Sequence, residues 1–470
     1  MPQSFADAVF ITRKLRVRYL WIDSLCIIQD SHEDWATEAA KMRDVYANSF
    51  LTISAAMVED SHQGFLRKRN EDTLKSLAEL EHPIPNSNMT GKIYLRPDFD
   101  SWSRTIVNGT LAQRAWTLQE RLLARRVLHF GDAHLFWECG SICTSERCLE
   151  PNQVRANEQE NPLFSKSVIE NWGDHCSLSI PNPIDRWYIV VEEYTKRGLT
   201  KDSDKLPAIS GLAKEVHTKT GGWAYYWAGL WQPDMHRGML WTAVVNAVLK
   251  SPSSYRAPSW SWAALNGPVK IHFDRLDRRD KRYEALFLGG GVTSKGFDRF
   301  GEVTGGHLLI RACFRWGIHV EYEHVYIAPM VYGGGLPTTA GHPAEGPQSR
   351  EYFLFEEKNP SLDEDKPGTL RSFCKCWLDQ PLPSKKRVYG FLRIGHYVPL
   401  FTMEEEVSEY LEMQKWVFQR QATNAKWITW ALILDELNSE ADIDTYKRIG
   451  VAEMELGAFD EASVSTVKVY

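Results

Sequence analysis

Asp23 and Glu120 are the acids whose sequence surroundings invite chemistry. Asp23 follows a short apolar, aromatic run, Tyr19 to Ile22, which reads as a strand buried on both faces. An acid at the end of such a strand stands where open α/β sheets place their ligands, and it can equally cap the loop that follows. Glu120 closes Thr117-Leu118-Gln119-Glu120, a capping-box pattern in which the glutamate satisfies a helix N-terminus. Arg114 and Arg121 also lie close enough in sequence to pair with it. Each acid therefore carries a catalytic and a structural reading.

Nucleophiles and metal ligands are less persuasive. Ser24 and Cys26 flank Leu25 in a largely apolar stretch, and a thiolate needs a neighbouring base or cation. Neither has a base identifiable by inspection, so Cys26 reads as a buried small hydrophobe. Cys139, Cys143 and Cys148, with His129 and His134 upstream, have looser spacing than a zinc knuckle. Cys374 and Cys376 read as two thiols on one strand face. The glycine clusters 289–291 and 333–335 lack the lysine and hydroxyl of a phosphate loop and read as ordinary loops. No G-x-S-x-G, H-E-x-x-H or kinase signature is present. No metal is expected.

The elements that must position these residues follow from periodicity. Ser31 with Asp34 starts a helix on which Trp35, Ala39, Met42 and Tyr46 share a face. Phe50 to Ser54 restores a strand, giving β-loop-α-β. Ile93 to Leu95 reads as a strand, Thr117 opens a helix, and Val127–Phe130 with Leu135–Trp137 forms a hairpin. The polar stretch 152–162 is a candidate boundary. It separates a domain over residues 1–150 from a region over 151–470. In that second region Trp187–Tyr194 and Leu206–Val216 read as helices, and short β runs dominate after about residue 289. The polar, proline-bearing stretch 70–88 reads as a surface excursion.

Trp21-Ile22-Asp23-Ser24-Leu25-Cys26-Ile27-Ile28-Gln29-Asp30 resembles the central W-I-D-S-L-C-I-x-Q-D signature of the fungal HET (heterokaryon incompatibility) domain. Arg114-Ala115-Trp116-Thr117-Leu118-Gln119-Glu120 resembles that family's R-x-W-T-x-Q-E block, and Trp137-Glu138-Cys139 fits as well. Trp187–Thr200, Asp204–Ala213 and Tyr446–Gly450 resemble pieces that accompany such domains. The family's opening L-S-Y-x-W-G block has no counterpart, and Met1-Pro2-Gln3-Ser4-Phe5 resembles the start of the helix after it. A naturally short member or a misplaced start would account for this, the second being preferred. Loss of a central strand would expose unpaired backbone and apolar surface.

The resemblance implies an α/β fold, with a TIR-like or flavodoxin-like open sheet followed by a mixed α+β, tryptophan-rich region. It also implies a role in fungal non-self recognition and programmed cell death through protein partners, homo-oligomers among them. Through the proposed kinship with TIR domains it implies an alternative, NAD or nucleotide glycohydrolase chemistry at Asp23 or Glu120. On that reading NAD is a substrate, and no resident cofactor is expected. An inactive, truncated paralogue is a further alternative.

Composition narrows the classes. A net charge of −6 gives no electrostatic case for nucleic acid. The Arg67-Lys68-Arg69 run and the mixed-sign stretch 274–282 read as solvated surface. No apolar run approaches the roughly 18 residues of a membrane span. Eight cysteines in 470 residues are too sparse for a disulfide scaffold, so a cytoplasmic setting is expected. The 18 tryptophans read mainly as packing, with a carbohydrate or cofactor platform as the sharper alternative.

Overall fold

The computed structural model describes residues 1–67, 78–83, 90–95, 101–146, 182–245, 247–271, 281–320, 352–354, 375–380, 388–397, 428–438, 443–455, 459 and 462–470. The chain is a mixed α/β protein of two compact units, Met1–Trp223 with Gly296–Gly301, and Ala224–Lys295 with Glu302–Tyr470. The boundary expected at 152–162 lies outside the described residues, as do Cys148, Cys374 and glycines 333–335.

In the first unit, α1 (Gln3–Lys14) precedes a single helical turn, α2 (Asp23–Cys26), and then α3 (His32–Asn48). The Ser31 hydroxyl accepts from the Asp34 amide at 3.2 Å, and Glu33 and Asp34 place negative charge on the first turn of α3. Ala39 and Met42 bury the expected face. Strand β1 (Thr52–Ser54) follows, then a separate hairpin of β2 (Ala78–Pro83) and β3 (Thr90–Leu95). The helix α4 (Trp116–Leu123) leads into β4 (Arg126–Phe130), β5 (Leu135–Cys139) and β6 (Cys143–Ser145). The sheet order is β1-β4-β5-β6, with β1 parallel to β4 and the remaining pairs antiparallel. Helices α5 (Pro183–Thr195) and α6 (Pro207–Lys219) also belong to this unit. The Gln119 side-chain oxygen accepts from the Gly211 amide at 3.1 Å and so joins α4 to α6.

One expected element differs. Tyr19–Ile22 belongs to no strand or sheet, and the amides of residues 18–22 have no hydrogen-bond partner among the described residues. β1, the nearest strand after it, pairs only with β4. An apolar aromatic run has strand propensity, but a strand exists only where a neighbour supplies the ladder.

In the second unit, β7 (Tyr226–Trp227) pairs with β8 (Leu230–Trp231), and β9 (Trp241–Ala243) pairs with β10 (Val269–Ile271). The rest is a nine-stranded sheet: β11 (Lys281–Tyr283), β12 (Leu286–Ser294), β13 (Val303–Val320), β14 (Tyr352–Leu354), β15 (Lys375–Leu378), β16 (Val388–Tyr397), β17 (Ile428–Asn438), β18 (Thr445–Glu455) and β19 (Ser463–Val469). Its path runs β16-β17-β18-β19-β13, and β13 pairs again with β16, so these five strands close on themselves. Tyr389, Phe391, Ala431, Ile433, Ala452 and Met454 form the core of this circuit. Glycines 289–291 lie within β12 and not in a loop, beside a bulge at Phe287/Gly289. Gly290 has φ +145°, and a Cβ there would meet the His307 carbonyl at 2.5 Å.

Tryptophans build much of the interior: Trp102, Trp187, Trp231, Trp241, Trp260 and Trp262 are fully buried. Gly229 shows how tightly they pack. It has φ +98°, and a Cβ would fall 2.6–2.9 Å from the Trp262 indole. Gly229→Ala combines backbone strain with overpacking and is expected to lower stability by about 2–4 kcal/mol, measurable by urea unfolding of the full chain. Among the described residues, no helix is long and apolar enough to cross a membrane.

Candidate functional site

A cavity of about 730 Å³ lies in the first unit. Phe5 and Ala8 of α1, Leu20, Trp21 and Ile22 of the run before α2, and Ile53 of β1 give it apolar walls. Its polar lining comes from Tyr46 on α3, Thr117, Glu120 and Arg121 on α4, His129 on β4, and Arg197. A cavity of this size that combines apolar walls with ionisable groups has the general form of a small-molecule site.

Glu120 does not cap its helix. The N-cap of α4 is Ala115, and the Thr117 hydroxyl donates to the carbonyls of Leu111 and Arg114, both at 2.8 Å. The capping-box reading fails because the N-cap of α4 lies two residues before Thr117. The Glu120 carboxyl is instead enclosed by protein, with a face on the cavity, and the Tyr46 phenol lies beside it. Burial, reinforced by the Asp23 charge, raises it to about 7, against the pull of Arg114, Tyr46 and Arg197. Burial also drives the Tyr46 phenol well above its ordinary value, with the Glu120 and Asp23 charges adding to the effect. A carboxyl that titrates near neutrality can take and return a proton at working pH.

Asp23 opens α2 on the surface, and its field reaches Glu120 and Tyr46. The loop bearing it is closed by short-range bonds. The Ser24 amide donates to the Asp23 carboxylate at 2.7 Å, Gln29 Nε2 donates to the Ile27 carbonyl at 2.8 Å, and the Ile28 amide donates to Asp34 at 2.8 Å. Gln29 and Asp34 thus hold the turn that carries Asp23. Trp21 meets Tyr46 edge-on at 5.8 Å, while Trp116 meets Trp35 at 6.3 Å and donates its Nε1–H to Asp204 at 3.1 Å. Cys26 is exposed and not a buried hydrophobe, because the one-turn helix α2 stands at the surface.

Residues 1–120 match the family model for heterokaryon incompatibility protein (HET). No curated protein and no solved structure matches the chain. Both signature blocks of the HET region, Trp21–Asp30 and Arg114–Glu120, fall within the matched range. The structure brings Trp21, Asp23, Arg114 and Glu120 together around Tyr46, while Gln29, Trp116 and Gln119 brace the elements that carry them. Ser24 and Cys26 are exposed beside Asp23.

Sequence reasoning missed three participants. Tyr46 was visible only as one member of the apolar face of α3, and Arg197 lies beyond the HET region. Burial lowers the Arg197 guanidinium to about 10, with Glu193 opposing, and its Nη1 lies 3.4 Å from the Thr117 hydroxyl. The third is the buried group behind the polar wall. Arg121 forks onto Glu138 at 2.9 and 3.0 Å, and His129 Nε2 lies 3.2 Å from the same carboxylate. Although burial opposes it, this pairing holds the Glu138 carboxyl well below the usual range. The alternation of β5, which turns Glu138 inward beside buried Phe136, was the available signal.

Proposed function

We propose that the chain acts as a heterokaryon incompatibility protein, a module of fungal non-self recognition whose engagement with protein partners leads to cell death in the cytoplasm. The match of residues 1–120 to the HET family carries this reading. The convergence of both signature blocks on one cavity supports it, since the residues that define the resemblance also build a single site.

One observation favours a second reading, TIR-like cleavage of NAD or a related nucleotide. Glu120 lines the cavity with a carboxyl that titrates at about 7, beside the Asp23 charge and the Tyr46 hydroxyl. On this reading a carboxylate holds a ribose hydroxyl and stabilises positive charge at the anomeric carbon as the bond to nicotinamide breaks. Water then adds to that carbon and its proton is carried away by a base.

Controlled expression of the full chain in fungal cells, with NAD measured alongside viability, separates the two. If signalling alone operates, the wild type and the Asp23→Asn and Glu120→Gln variants all kill, and NAD is unchanged. If the site is enzymatic, the wild type depletes NAD and Glu120→Gln slows that loss by about 100-fold or more. Wild-type expression that neither kills nor consumes NAD would contradict both.

A further inference from the structure

The second unit contains a separate pocket of about 450 Å³, within the size range of small-molecule sites. Tyr255, Leu265, Tyr389, Leu437 and Ile449 supply apolar walls, and Asp379 and Arg448 supply buried charge. Asp379 is 7% exposed and Arg448 is 1% exposed. Arg448 Nη1 donates to Asp379 Oδ2 at 2.5 Å, Nη2 donates to the Trp241 carbonyl at 2.6 Å, and the guanidinium lies 3.6 Å over the Trp241 ring. The arginine is thereby fixed and its charge neutralised.

The pairing leaves one carboxylate oxygen over. Asp379 Oδ1 is buried and has no hydrogen-bond partner among the described residues, although Asp379 lines the pocket. A buried acceptor left unmet is a standing cost to the fold, which a ligand donor would recover. Because the Asp379–Arg448 pair is neutral overall, a charged ligand would bring an uncompensated charge among apolar walls. At the rim, Asp435 and Lys447 face each other across β17 and β18, so the mouth favours neither sign.

We infer that this pocket is a binding site for a neutral, planar heterocycle of nucleobase size, whose N–H group donates to Asp379 Oδ1 while its ring packs on the tyrosine and aliphatic walls. Burial holds the Asp379 carboxyl up at about 6, against the pull of Arg448, so it is mainly ionised and accepting at neutral pH. The site is independent of the Glu120 cavity and of the function proposed for it.

Aminopyrazine and pyrazine differ by the single donor group at issue. Their binding to the purified full chain at pH 7.5 is to be measured by saturation-transfer NMR titration. Aminopyrazine should bind at least about 10-fold more tightly than pyrazine, since a donor to a charged acceptor contributes about 1.5–3 kcal/mol. Asp379→Asn should reduce that preference to less than threefold. Leu437→Trp, at an exposed rim position, should abolish binding of both compounds with an unchanged melting curve. Equal binding of the two compounds, absence of aminopyrazine binding, or a preference that survives Asp379→Asn would overturn the inference. If Asp379→Asn does not fold, persistence of aminopyrazine binding in Leu437→Trp overturns it, and its loss upholds it.

Discussion

Glu138→Ala should destabilise the first unit by about 3–5 kcal/mol, the largest effect of any single substitution considered for this chain. Glu138 is fully buried and is the shared acceptor for Arg121 and His129, themselves 9% and 2% exposed. Removing it takes the bidentate acceptor from a buried guanidinium next to Trp102, and Trp102 anchors a core cluster with Ile106 and Phe136. An exposed ion pair of similar geometry would contribute about 1 kcal/mol or less. Hydrogen exchange of the β4 amides across a urea series isolates the first unit from the second. A loss below about 1 kcal/mol would show the triad to be dispensable. The native carboxyl titrates well below its unfolded value of 4.5, so its stabilisation is fully present above that pH and disappears as acid protonates it.

Glu120→Gln should act in the opposite direction. The native carboxyl titrates at about 7 against a reference of 4.5, so the folded chain holds a proton that the unfolded chain releases. The stability of the first unit should therefore fall as pH rises from about 4.5 to about 7 and remain low above that. Allowing for solvent on the cavity side, the total loss is about 2–3 kcal/mol. Glutamine keeps the shape and polarity of the group beside Tyr46 and carries no charge, so the variant should be more stable than the wild type at pH 8 and nearly equal to it at pH 4.5. The same β4 exchange measurement at both pH values checks this. A variant less stable than the wild type at pH 8 would mean that the glutamate is ionised and well paired in the fold. A gain in stability on removing an acid also marks a residue kept for something other than folding.

Local signals were legible in the sequence, and most non-local ones were not. The Ser31–Asp34 cap, the face of α3, the β4–β5 hairpin and the helices at Trp187 and Leu206 all follow from spacing over a few residues. The site was half legible. Asp23, Arg114 and Glu120 stood out within two motifs, but Tyr46, which defines the Glu120 environment, comes from a helix face that looked purely apolar. The Tyr19–Ile22 run shows the limit most clearly. Its composition suits a strand, but whether it becomes one depends on a neighbour that residues 19–22 cannot specify. The second pairing of β13 with β16 was equally invisible, since it joins residues far apart in the chain.

Closing five strands into a ring has a kinetic consequence. No stave can peel away by losing one neighbour, so opening must begin where the ladder is shortest. That seam is the parallel contact of β18 with β19, which pairs only Thr445 with Lys468 and Tyr446 with Val469. Arg448 lies two residues beyond it on β18, and Tyr470 follows β19 directly. The pocket built around Asp379 and Arg448 is therefore set against the joint where the ring would unzip, and a molecule seated there would act as a latch.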